Sequence, residues 1–183
     1  MSNRNGSIYG LTILSPIRSD GGIPHNLAIR TYLAELPRDQ HSPFARLSST
    51  HMARLAVLDD KEYLTTQYVV FESNFDGDLD IYLSRMARET PNFVDSVWKH
   101  CVGYPGVSDP LAFTAYMKKC QLATTFFFAD VNNKTVQQTL QALHAQRSVA
   151  AFILENQGKG GAELQKAFAE LLESLNAREE LNQ

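Results

Sequence analysis

Two stretches decide the fold: Thr50-His51-Met52-Ala53-Arg54-Leu55-Ala56-Val57-Leu58 and, beyond the turn Asp59-Asp60-Lys61-Glu62, Gln67-Tyr68-Val69-Val70-Phe71-Glu72. Both are short apolar runs bounded by turn formers, which predicts two strands. The gap between them is short enough to make them antiparallel neighbours. Apolar residues fall on both parities, whereas a half-exposed strand alternates, so both faces of this sheet are expected to be covered. Parity groups His51 with Ala53, Leu55 and Val57, and Arg54 with Met52, Ala56 and Leu58, on opposite faces. Glu72 is the partner expected for one of them, because a charge in an apolar sheet is costly unless matched.

Upstream, Tyr9 to Ile17 carries Leu11, Ile13 and Leu14 and reads as a strand closed by Pro16. After the loop Ser19–Gly22, the spacing of Ile29, Tyr32, Leu33 and Leu36 predicts a helix that Pro37 stops. Downstream, Asp76-Gly77-Asp78 opens a helix with Leu79, Tyr82, Leu83 and Met86 on one face. A second stripe runs through Phe93, Val94, Val97, Trp98 and Cys101, and Ser108-Asp109-Pro110 starts a short helix to about Lys119. Leu122 to Val131, with Phe126-Phe127-Phe128, predicts another strand, followed by a turn at Asn132-Asn133. A long helix follows, with Val136, Leu140, Leu143, Arg147, Ala150, Ala151 and Leu154 on its inner face. Gly158-Lys159-Gly160-Gly161 is a break before a last amphipathic helix through Leu164, Phe168, Leu171, Leu172 and Leu175. Without its extra helices this is the α+β order βαββαβ of the ferredoxin-like fold, an antiparallel sheet with helices on one face. The expected division is an α+β domain over 1–157, then a glycine hinge and C-terminal helix over 158–183.

The 183 residues, 44% apolar and 20% charged, suit one globular domain with an appendage. A net charge of −3 provides no field for a phosphate backbone, so no nucleic-acid partner is expected. The longest apolar run, Val149–Leu154, is far short of the roughly 20 residues of a membrane span. Ile8–Leu14 meets Ser15-Pro16 without a small-residue cleavage pattern, and two cysteines make no disulfide framework, so the expected location is cytoplasmic. The chain shows no glycine-rich phosphate loop, nucleophile elbow or zinc spacing, and no metal is expected.

Thr50-His51-Met52-Ala53-Arg54, Phe71-Glu72-Ser73-Asn74-Phe75-Asp76-Gly77-Asp78, Trp98-Lys99-His100-Cys101-Val102-Gly103-Tyr104-Pro105-Gly106 and Ala123-Thr124-Thr125-Phe126 together resemble a set of uncharacterised bacterial domains. They resemble the dimeric α/β-barrel superfamily over about residues 8–155. The resemblance implies a homodimer with two ferredoxin-like sheets face to face, and does not choose among the superfamily's functions, which include haem peroxidases of the dye-decolourising type, cofactor-free monooxygenases and sensing domains. Ser73-Asn74-Phe75-Asp76-Gly77 is similar to the distal G-x-x-D-G motif of those peroxidases, with Ser73 in place of the first glycine. In that reading Asp76 moves a proton and His100 is a possible haem ligand.

The residues themselves give other readings. Asp76 or Asp78 is expected to cap the helix that follows. His100 and His144 sit on helical stretches without a second ligand at metal spacing, and Cys101 and Cys120 read as inert thiols. His51, Arg54, Glu72, Asn74 and Asp76 converge on one strand end and form the candidate ligand or proton-transfer site. The expected function is a small-molecule-binding or interaction module with a small apolar ligand and no identifiable reaction. The alternative is an oxidoreductase, haem-dependent or cofactor-free, acting on a small apolar substrate.

Overall fold

A computed structural model describes residues 3–60, 62, 64–130 and 133–180, with side chains as far as Asn176. Lys61 of the expected turn, and Val131 and Asn132 after the expected last strand, lie outside those residues. The backbone divides into two compact units, Met1–Val136 and Gln137–Gln183.

The first unit is mixed α+β. Strands β1 (Arg4–Asn5), β2 (Ile8–Pro16), β3 (Thr50–Leu58) and β4 (Tyr68–Asp76) form one antiparallel sheet in the order β1-β2-β4-β3. Helices α1 (His25–Glu35), α2 (Leu79–Glu89), α3 (Pro91–Trp98) and α4 (Pro110–Lys119) accompany it, with a 3-10 turn at Pro43–Arg46. Odd-numbered residues of the long strands, among them Leu11, Ile13, Val69, Phe71 and Phe75, share one core with Ile29, Leu83, Val97, Phe113 and Met117. Trp98 stands edge-on to Phe71 at 5.6 Å and to Phe93 at 6.0 Å, and its Nε1–H donates to Ser15 Oγ at 3.1 Å. Tyr82 stacks flat on Phe75, centroids 3.8 Å apart, and its hydroxyl meets Ser73 Oγ at 2.8 Å and Thr50 Oγ1 at 3.2 Å. Desolvation of that buried phenol raises its pKa.

Two expectations are corrected here. Residues 122–130 form no strand. The edge of β2 that such a strand would fill is shared instead by three short segments. Asn3–Asn5 lies opposite Ile8–Gly10, with Gly10 N–H donating to Asn3 O at 2.7 Å. Residues 120–122 follow: Leu14 N–H donates to Cys120 O and Leu122 N–H to Thr12 O, each at 2.9 Å. Residues 100–102 complete the row, Val102 N–H donating to Pro16 O at 2.8 Å and Arg18 N–H to His100 O at 2.9 Å. With β1 occupying the edge at Ile8–Gly10, the chain after Leu122 leaves the edge, and Phe127 lies against Gly10.

The second correction concerns parity. A bulge between Thr50 and Met52 inserts His51 as an extra residue, so the alternation of β3 does not run through it. Thr50 pairs with Phe75 and Met52 with Asn74, and the His51 ring is left to reach Asp76.

The second unit contains α6 (Gly161–Glu180) and α5 (Val136–Glu155) beyond its first residue. Gly158, at φ 80°, lies in the turn between them, and Phe152 meets Phe168 edge-on at 5.8 Å. The expected inner face of α5 is not the one facing α6: Leu140, Leu143 and Leu154 are exposed, whereas Ser148 and Phe152 are partly covered.

Candidate functional site

Even-numbered residues of the long strands, from Met52 onward in β3, make the second face of the sheet. Its pairs are Thr12 and Arg54 flanking Glu72, Leu14 and Ala56 flanking Val70, and Gly10 and Met52 flanking Asn74. Met52 is 66% exposed and Leu58 42%. Beside this face, Thr124 and Phe126–Phe128 wall a cleft of about 500 Å³ whose floor includes Arg54, Glu72 and Asn74. Phe126, 85% exposed, and Phe128 are held out on either side of Phe127. Phe127 is anchored because Gly10 has no side chain: a Cβ there would lie 2.9 Å from the ring. A lone glycine within a strand signals such a close approach. Gly10→Ala is expected to shift Phe127 and cost about 1–3 kcal/mol by overpacking, read as a lower urea midpoint together with altered exposure of Phe126 and Phe128 to oxidative footprinting.

Arg54 Nε donates to Glu72 Oε2 at 2.7 Å, and its Nη2 reaches the same oxygen. Arg54 is 76% exposed, so the pair contributes at most about 1 kcal/mol and acts mainly on register. His51 Nε2 and Asp76 Oδ1 are 2.8 Å apart. Asp76 Oδ2 accepts from Val136 N–H at 2.8 Å, and the Asp76 amide donates to Ser49 O. The carboxylate therefore fixes the His51 proton on Nε2 and satisfies a helix-terminal N–H at the same time. The cap of α2 is Asp78, whose Oδ1 accepts from Asp80 N and Ile81 N at 2.8 and 3.3 Å. Of the five candidate residues, Arg54, Glu72 and Asn74 line the cleft, while His51 and Asp76 form a separate pair at the ends of the same strands.

His100 lies elsewhere, in the turn after α3, with its Nδ1 2.9 Å from Nδ1 of His25. Sequence reasoning passed over His25, though a histidine directly after Pro24, at the start of an apolar helical pattern, marks an N-terminal turn. Burial, then the charges of Lys99, His25 and Arg18, hold His100 below its ordinary pKa. The neighbouring cleft, about 370 Å³, has Arg18, Asp20 and Lys99 among its walls. These charged walls do not fit a haem, whose macrocycle needs an apolar slot. Among the described residues, no group of three or more His, Cys, Asp or Glu side chains is arranged to hold a metal ion. Cys101 is buried, which pushes its thiol up to about 12, and it sits opposite Ile17 while Cys120 sits opposite Leu14. Both cysteines are free thiols.

No protein-family model, curated protein or solved structure matches the chain.

Proposed function

We propose that the protein is a binding module of ferredoxin-like type that pairs the open face of its sheet with the same face of a second copy, and that the cleft beside Phe126 and Phe128 receives a small apolar ligand. One observation carries the reading: exposed Met52 and Leu58 share a sheet face with Val70 and Leu14, beside two exposed phenylalanines. Such a patch on a globular unit marks an interaction surface. The topology supports it. The run β2-α1-β3-β4 and the sheet order β2-β4-β3 are those of a ferredoxin-like core, with the three edge segments where its last strand belongs. Charge is compatible with a self-pairing: Arg54 and Glu72 lie side by side, so a two-fold axis passing between them would set each against its opposite across the interface. Membership of the dimeric α/β-barrel superfamily is part of this proposal.

Sedimentation at micromolar concentration is expected to give twice the 20.5 kDa chain mass. Met52→Asp introduces a desolvated charge into the seam and is expected to weaken association at least tenfold; a wild-type chain that sediments as a monomer overturns the pairing. For the cleft, the probe is anilinonaphthalene sulfonate, apolar with one anionic end. Saturable binding that Phe126→Ala and Arg54→Leu each weaken at unchanged melting temperature supports a ligand site. In the oxidoreductase alternative the proton-handling group at the ligand would be Glu72, because the His51–Asp76 pair does not line the cleft.

A further inference from the structure

His25 is the first residue of α1, and His100 follows the end of α3. With their Nδ1 atoms 2.9 Å apart and the rings tilted by 57°, one proton fits between them: one ring donates and the other accepts. The surroundings choose the direction. His25 Nε2 is buried without a hydrogen-bond partner among the described residues, 3.6 Å from Asp20 Oδ1. A hydrogen on that nitrogen faces a carboxylate favourably; a lone pair does not. His25 therefore carries its hydrogen on Nε2 and accepts at Nδ1, and His100 donates from Nδ1.

The charges around the pair are accounted for. Arg18, leaving β2, donates from Nε to Asp20 Oδ1 at 2.9 Å and holds that carboxyl at about 2, so Asp20 stays ionised. Lys99 flanks His100 at the end of α3, where Asp95 is engaged by the Tyr104 hydroxyl at 2.6 Å. On α1, Arg30 is paired with Asp59, beyond the end of β3.

We propose that the His25–His100 bridge is an acid-sensitive clasp, holding residues 18–25 and the start of α1 against the end of α3 at neutral pH and releasing them on acidification. One added proton leaves an N–H⁺···N contact intact. A second places hydrogens on both facing nitrogens and two like charges in contact, and the rings must part. The released loop has its joint at Gly21 and Gly22, both in the left-handed region at φ 72° and 65°. The depressed pKa of His100 gives the sign of the first step: its folded form prefers neutrality, so its contribution to stability is whole above about pH 6.5 and declines as the pH falls below that value, while the contact itself parts only with the second proton.

Histidine-ring nitrogen NMR on the full chain is expected to show opposite tautomers for the two rings at about pH 8, and a His100 titration displaced below its ordinary value. Hydrogen exchange, corrected for its intrinsic pH dependence, is expected to accelerate about tenfold or more over residues 18–30 between about pH 8 and pH 5. In His100→Phe, which keeps a ring but takes no proton, that acceleration is expected to vanish. Two rings in the same tautomer at about pH 8, or a wild-type loop whose protection ignores pH, overturns the clasp even if the variant does not fold.

Discussion

Replacing Trp98 with alanine is expected to lower the unfolding free energy by about 3–5 kcal/mol, a large part of the roughly 5–15 kcal/mol that holds a domain together. The indole is fully buried and edge-on to Phe71 and Phe93. Its loss leaves a cavity at the junction of α3 with the sheet. It also removes the donor to Ser15 Oγ, a hydroxyl buried on the inward side of β2. Trp98→Phe separates the two effects, because it fills most of the space and leaves Ser15 without that donor, at about 1–3 kcal/mol. Urea unfolding is the measurement: the midpoint should fall in the order alanine, phenylalanine, wild type, at unchanged slope. An alanine variant within about 1 kcal/mol of wild type would show that the core is not organised around this ring.

Asp76→Ala is expected to cost about 1.5–3 kcal/mol, because one carboxylate serves two donors, the His51 ring and the Val136 amide. Asp76→Asn retains one acceptor and should lose less. A double-mutant cycle with His51→Ala isolates the ring's share. The same variants judge whether this pair is scaffold or site. A fall in melting temperature with anilinonaphthalene sulfonate binding intact makes it scaffold. Unchanged melting with lost binding makes it part of the ligand site.

The mixed α+β class, the strand at 50–58, the first part of β4 as far as Glu72 and the helices opened by Asp76–Asp78 and Asp109 were legible because their signals are local: apolar runs, prolines and capping acids; the last four residues of β4, Ser73–Asp76, are polar enough to read as a loop. The Arg54–Glu72 pairing was legible too, since two charges in an apolar sheet need a partner within reach. What escaped depends on distant competition. Phe126-Phe127-Phe128 has every local mark of a strand, but the place it would fill is occupied by Asn3–Asn5, which ends two residues upstream of β2. A bulge is a single inserted residue with no composition of its own, and at His51 it overturned a parity argument that holds for the rest of β3. The His25–His100 contact joins residues 75 apart in the chain, and nothing in either neighbourhood announces the other.

The patchwork along β2 has a consequence for how the chain is made. When Asp76 has been synthesised, all three long strands exist, but only the first of the three segments that close the β2 edge has been translated. The second ends at residue 102 and the last at residue 122. At about 5–20 residues per second, that interval is roughly 2–9 s, during which a nascent sheet presents an incompletely paired strand to its surroundings. Ribosome-bound chains that have emerged past residue 76 but not yet past residue 122 are therefore the species in which chaperone capture and misassembly compete, and the finished protein retains no trace of that window.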